Sequence, residues 1–195
     1  MKKLLITGFD PFDGAEINPS WEAVKALPET IGNYELYKFQ LPTIYEEAPA
    51  LLLRKAEEIQ PQVILCVGQA GSRDSVTPER IAVNIRDAKI ADNRGRFCHG
   101  DRIDSGADAA YFATVPVEAM RDAILAEDLP GTVSNTAGTF VCNDVLYNAL
   151  HRYAGTDIRC GFIHVPWLPE QGTPSLPLAD TIRALTAAIR GLDEA

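Results

Sequence analysis

Cysteine is sparse in this chain: Cys66, Cys98, Cys142 and Cys160 are the only 4 among 195 residues, and no two of them form a Cys-x-x-Cys pair. That spacing excludes a disulfide-stapled scaffold and gives no support to a zinc site. Long apolar runs are missing too, and none approaches the ~20 residues of a membrane span. Basic residues are in deficit, with 18 Lys and Arg against 27 Asp and Glu, so the formal net charge is −9. A field of that sign repels phosphate backbones and anionic lipid surfaces, which disfavours nucleic acid and membrane as partners. Repeats, low-complexity tracts and Pro- or Gly-rich linkers are absent, so residues 1–195 are expected to form one domain. After Met1-Lys2-Lys3 only Leu4, Leu5, Ile6 and Thr7 precede Gly8. That stretch is too short for a secretory signal, and a reducing cytoplasm with free thiols is the expected setting.

What is present is a globular balance, 46% hydrophobic and 23% charged. A chain of this length buries roughly 70% of its unfolded surface, enough for a full core without staples. Two apolar runs, Lys3 to Phe9 and Gln62 to Gly68, reach a glycine at or near their ends, the pattern of buried parallel strands. The second is expected mid-sheet. Tyr34 to Gln40, Ile81 to Ile85, Ala110 to Thr114, Gly131 to Ser134 and Arg159 to Val165 read as further strands. Apolar residues recur at helical spacing from Ser20 to Leu27, Tyr45 to Ile59, Val117 to Leu125, Val141 to Tyr153 and Leu178 to Leu192, with Ser20 capping the first. This alternation predicts an α/β fold, a three-layer α/β/α sandwich around one mostly parallel, twisted sheet. Residues 89–110 keep no period, and so long an irregular stretch is expected to be a lid or a subunit contact.

In such a sheet the functional residues gather where strands hand over to loops. Cys142 opens the helix from Val141, and a thiol there feels the positive end of the helix dipole, which can lower its pKa from ~8.5 to about 3.5–7.5. It is either a nucleophile or one more inert thiol, as Cys66 and Cys160 inside strands are expected to be. A nucleophile needs a base, and the chain offers His99, His151 and His164. His151 lies on the same helix as Cys142, about 13 Å along its axis and too far for a hydrogen bond. His99 sits in the irregular stretch. His164, near the end of a buried strand before Pro166, is placed where sites form. A carboxylate should orient the imidazole. Glu79 is one choice, although Thr77-Pro78-Glu79 also reads as a helix start, and on spacing alone Asp144 or Asp157 would serve equally.

Six segments together resemble the cytosolic pyroglutamyl peptidases. They are Ile6-Thr7-Gly8-Phe9-Asp10-Pro11-Phe12, Asn18-Pro19-Ser20-Trp21-Glu22, Gly68-Gln69-Ala70-Gly71, Thr77-Pro78-Glu79-Arg80-Ile81-Ala82, the run Ser134 to Asn143, and Phe162-Ile163-His164-Val165-Pro166. The resemblance spans nearly the whole chain and is far more specific than a single glycine pattern. It implies a cysteine omega-peptidase that removes N-terminal pyroglutamate from peptides without metal or cofactor, and a homo-oligomer, with a tetramer suspected. It implies a catalytic triad of Glu79, Cys142 and His164, which lifts Glu79 above Asp144 and Asp157. It further implies Phe9, Phe12, Gln69, Ile90, Phe140 and Val141 around the lactam ring, and Lys89 near the oxyanion.

Two positions depart from the family pattern: Lys89 stands where arginine is usual, and Ser72 where a second glycine is usual before Arg73. Lysine keeps the charge but loses the planar fork, so oxyanion stabilisation is expected to lean on the Cys142 backbone N–H. Two other readings compete. One is a binding protein that keeps the pocket without turnover; the other is a nucleoside phosphorylase, which would need a phosphate site from Arg73, Arg80, Arg86 or Lys89.

Overall fold

Leu4 and Ile6 point to one side of the first strand and Leu5 to the other, and all three are fully buried. The central strand repeats the pattern, with Val63, Leu65 and Val67 on one side and Ile64 and Cys66 on the other. A sheet apolar on both faces must be covered on both, which forces a three-layer arrangement.

The structure, a computed structural model, describes residues 1–193. The chain runs β1 (Lys2–Phe9), α1 (Pro19–Ala26), β2 (Thr30–Ile31), β3 (Tyr34–Leu41), α2 (Glu47–Ile59) and β4 (Val63–Gln69). Five short strands follow, β5 (Thr77–Pro78), β6 (Ile81–Val83), β7 (Arg86–Asp87), β8 (His99–Asp101) and β9 (Ala110–Phe112). The last elements are α3 (Val117–Leu125), α4 (Val141–Arg152), β10 (Arg159–Val165) and α5 (Leu178–Arg190). The main sheet has the order β2-β3-β1-β4-β10-β5, with β3, β1, β4 and β10 parallel and an antiparallel strand at each edge. Helices α1, α3 and α5 cover one face, and α2 and α4 the other. The chain leaves β1 toward β3 and returns across it to β4, so the strand order reverses between β1 and β4. A crevice forms beyond the carboxyl ends at such a point.

Several local expectations are corrected. Asn18, not Ser20, caps α1, its side chain accepting from the Ser20 N–H at 3.1 Å with Pro19 at the first helical position. Gly131 to Ser134 forms no strand and makes only isolated bridges to Val76 and Glu79. The strand read over Ile81 to Ile85 ends at Val83, and α5 stops at Arg190 before a single 3-10 turn, Gly191–Asp193. Residues 89–110 are tied down rather than loose. Within them β8 pairs with β7, and Asn84 Nδ2 donates to the carbonyls of Asp104 at 2.6 Å and Asp108 at 3.1 Å.

Candidate active site

Beyond the carboxyl ends of β1, β4 and β10 lies a cavity of about 280 Å³, walled by Phe9, Phe12, Gln69, Arg73, Phe140, Cys142 and His164. Each strand delivers its residue for a local reason. Phe9 ends β1, and the loop after it is locked by the Asn18-Pro19-Ser20 segment: Ser20 Oγ accepts from the Phe9 N–H at 3.0 Å, and Asn18 Nδ2 donates to the Asp10 carbonyl at 2.9 Å. Gln69 ends β4 and pairs in register with Val165 of β10. His164 lies opposite Gly68 in the same ladder and is 4% exposed.

The start of α4 is pinned from behind. Asn143 Oδ1 accepts from the Val83 N–H at 2.9 Å and its Nδ2 donates to the Val83 carbonyl at 2.8 Å, while Asp144 is gripped by Arg86 at 2.9 Å. These two residues turn inward and leave Cys142 facing the cleft in the first turn. Gly68 makes room for the thiol: a Cβ there would lie 2.8 Å from Cys142 Sγ.

Glu79 is fully buried and sits beside His164 because β5 pairs antiparallel with β10, Thr77 opposite His164. The Thr77-Pro78-Glu79 segment is therefore extended, and the helix-start reading fails. Glu79 Oε1 lies 2.7 Å from His164 Nδ1 and also receives Arg73 Nη1. Arg73 Nη2 donates to the Thr136 carbonyl at 2.8 Å, so the guanidinium bridges Glu79 to the loop that leads into Cys142. Glu79 Oε2 is buried without a hydrogen-bond partner among the described residues.

Burial works against ionising Glu79, but the bond and charge of His164 and the Arg73 guanidinium outweigh it and hold the carboxyl below its ordinary value. An ionised carboxylate only accepts, so His164 Nδ1 donates and its Nε2 carries the free lone pair. Burial pushes His164 below the usual imidazole value, against the pull of Glu79. Cys142 is corrected most: burial, reinforced by the Glu79 charge, pushes the thiol up to about 12, against the lowering expected from the helix dipole. Both shifts favour the neutral forms, a thiol on Cys142 and an imidazole on His164, which line the same cavity. Cys66 and Cys160 lie in the core, and burial pushes both up to about 12.

Other expected residues lie elsewhere. Asp144 serves Arg86, and Asp157 lies at the opposite end of the sheet with Lys2 and Arg159, so neither orients His164. His151 bonds Tyr111 through Nδ1 at 2.9 Å on an exposed helix face, and His99 stacks on Phe97. Val141 is fully buried in the core under α2 and α4, so its side chain does not reach the cleft. Lys89 is exposed and Ile90 half-buried in the turn after β7, and neither lines the cavity. The cation of this cleft is Arg73, whose role the sequence reading missed; its spacing six residues before Glu79 in a loop carries no periodic signal. Among the described residues these cations do not gather into a phosphate site either: Arg73, Arg80 and Arg86 are each paired with a carboxylate, and Lys89 lies outside the cavity.

The profile of the family described as pyroglutamyl peptidase matches residues 2–194. The chain belongs to that family. It is 44% identical to the pyrrolidone-carboxylate peptidase of Alkaliphilus oremlandii over 98% of this chain and 93% of that protein. It is also 44% identical to the enzyme of the same name from Thermococcus onnurineus, covering 96% of this chain and 97% of that one. The crystal structure of pyroglutamyl peptidase I from Bacillus amyloliquefaciens superposes with a TM-score of 0.96 at 42% identity, covering 100% of this chain and 98% of that one. The pyrrolidone carboxyl peptidase of Thermococcus litoralis gives 0.94 at 38% identity, covering 100% and 94%. Membership makes the chain a cysteine-type hydrolase and speaks against a binding protein without turnover.

Proposed function

We propose that Cys142, His164 and Glu79 carry out hydrolysis of the bond after an N-terminal pyroglutamyl residue, the reaction of the family to which the chain belongs. The observation that carries this reading is the Glu79–His164 contact of 2.7 Å in the cleft that also holds Cys142 at the start of α4. His164 Nε2 takes the thiol proton as Cys142 Sγ attacks the pyroglutamyl carbonyl, so no free thiolate has to persist in the buried site. The same proton passes to the leaving amine, the C–N bond breaks and a thioester remains. His164 then takes a proton from water, which attacks the thioester and releases pyroglutamate and the thiol. Glu79 holds the imidazole in one tautomer and offsets its charge when it is protonated. The backbone N–H groups of the first turn of α4, that of Cys142 included, have no partner within the helix and are placed to receive the oxyanion. Phe9, Phe12, Gln69 and Phe140 supply the lactam pocket, with no metal or cofactor in the scheme.

Substrates in this reading are N-terminally pyroglutamylated peptides, and the setting is the cytoplasm. No helix among the described residues is long and apolar enough to cross a membrane. A homo-oligomer is in keeping with two exposed aromatics, Phe97 at 52% and Phe112 at 68%, and its reading as a tetramer rests on the family resemblance. Residues 1–195 act as one domain, all described elements packing on one sheet or its flanking ribbons. Hydrolysis of pyroglutamyl-aminocoumarin by the purified protein, lost in Cys142→Ser, is the expected result; turnover retained by Cys142→Ser would end this reading. Sedimentation velocity tests the tetramer.

A further inference from the structure

A second, larger cavity of about 990 Å³ adjoins the cleft and shares Phe12, Gln69 and Ser72 with it. Gln171 Nε2 donates to Gln69 Oε1 at 3.3 Å, joining the wall of the second cavity to the end of β4. The first cavity is large enough for the lactam, whereas the peptide attached to its carbonyl must run outward from Cys142. The second cavity is the adjoining space large enough to take it.

Its lining is not neutral. Asp13, Glu16 and Glu170 line it, all three are exposed, and none forms an ion pair among the described residues. Trp167 lines the same cavity, seated so closely on the turn after β4 that a Cβ on Gly71 would lie 2.2 Å from its indole nitrogen. A fixed aromatic wall with unpaired carboxylates suits a side chain that has an aliphatic stem and a cationic head.

We propose that this cavity receives the leaving peptide and that Asp13, Glu16 and Glu170 select substrates with Lys or Arg in the first residues after pyroglutamate. The selection rests on the reading of Cys142 as nucleophile and adds specificity to it. The aliphatic stem lies along Trp167 and Phe12 while the head reaches the carboxylates, and an acidic residue in the same place meets three like charges.

The test compares kcat/KM for pyroglutamyl-Lys-Lys-amide, pyroglutamyl-Ala-Ala-amide and pyroglutamyl-Glu-Glu-amide. At low ionic strength the cationic peptide is favoured over the acidic one by roughly tenfold or more, and the ratio shrinks as salt is raised to about 0.5 M. In the triple variant Asp13→Asn, Glu16→Gln, Glu170→Gln the ratio collapses toward that of the neutral reference. A control triple variant, Glu57→Gln, Glu58→Gln, Asp157→Asn, removes the same charge from the far end of the molecule and keeps the ratio. Equal rates for the cationic and acidic peptides in the unmodified protein overturn the subsite while leaving the catalytic reading intact. An equal loss of ratio in both triple variants also overturns it, since the net charge would then explain the preference. No hydrolysis of any peptide or of pyroglutamyl-aminocoumarin overturns the catalytic reading and the subsite together.

Discussion

Glu79 Oε1 and His164 Nδ1 stand 2.7 Å apart with side chains 0% and 5% exposed, so the imidazole is held by a carboxylate that water does not reach. The contact decides which nitrogen of His164 can act as base. Glu79→Gln keeps the shape but presents an amide, which can leave the wrong nitrogen protonated. We expect kcat/KM for pyroglutamyl-aminocoumarin to fall by ~10² or more, and by less than in His164→Ala. Near-normal turnover in Glu79→Gln would show that the contact is structural only.

Arg73 touches the same carboxylate oxygen, and its charge lowers the proton affinity of both Glu79 and His164. Arg73→Met removes that charge, so His164 accepts a proton more readily and stays protonated to higher pH. The acid limb of kcat/KM is therefore expected to move upward in Arg73→Met, with Arg73→Lys falling between it and the unmodified protein. A merely structural role would lower activity without moving the limb.

The thiol of Cys142 is the third case. With its pKa pushed up to about 12 by burial, alkylation by iodoacetamide should keep accelerating as pH rises through about 9. Burial holds His164 below the usual imidazole value, which favours its neutral form as the base. A preformed thiolate–imidazolium pair would instead give an alkylation rate already level below pH ~7. That plateau, mapped to Cys142 by peptide analysis, is the outcome that would refute the neutral pair.

Much of this was legible in the chain because long elements carry a period. Of the four parallel strands, β1, β4 and β10 show as largely apolar runs and β3 as an alternation, and the five described helices show by one buried face, since burial on a sheet demands those patterns. Strands of two or three residues, β2, β5, β7 and β8, carry no pattern and exist because a neighbour pairs with them. Glu79 depends on one of these: only the pairing of β5 with β10 puts it beside His164. The thiol shows a different limit. Helix position is visible in sequence, but desolvation depends on what packs around Sγ, and here Phe162, Gly68 and the Glu79 charge overturn the dipole argument. Lys89 came from family resemblance, and its exposed place in the turn after β7 could not be read from its type.

Two glycines separate stability from activity. A Cβ on Gly8 would lie 2.6 Å from the Trp21 Cα, backbone that cannot yield without shifting α1. Gly8→Ala should therefore destabilise the fold by about 1–3 kcal/mol, read as a lower denaturation midpoint. A Cβ on Gly68 would meet Cys142 Sγ at 2.8 Å and the Phe162 ring at 2.7 Å, both side-chain atoms that can move. Gly68→Ala should displace the nucleophile and lower kcat by ~10² at near-normal KM, since misplacement by about 1 Å is felt in the chemical step. A normal kcat in folded Gly68→Ala would mean that Sγ is not held against this glycine during catalysis.

Selectivity for the lactam follows from how the first cavity divides its apolar and polar walls. Phe12 and Phe140 have ring centroids 5.8 Å apart, and Phe9, 2% exposed, closes the floor. Those rings can take the flat five-membered ring, but proline presents almost the same apolar shape. An apolar slot alone would separate the two by only about 10-fold to 200-fold. The difference is the lactam carbonyl and its N–H, and the polar groups able to meet them are the Gln69 amide and the backbone of the 136–140 loop. With proline bound, the groups that the ligand covers go unpaired, and a site built to hydrogen-bond its ligand rejects the lacking analogue by ~10⁴ or more. Prolyl-aminocoumarin should accordingly be inert where pyroglutamyl-aminocoumarin turns over. Phe12→Ala should raise KM more than it lowers kcat, because the stacking area it removes serves ground and transition state alike. Comparable kcat/KM for the two substrates would mean that the cleft reads ring shape and not the lactam edge.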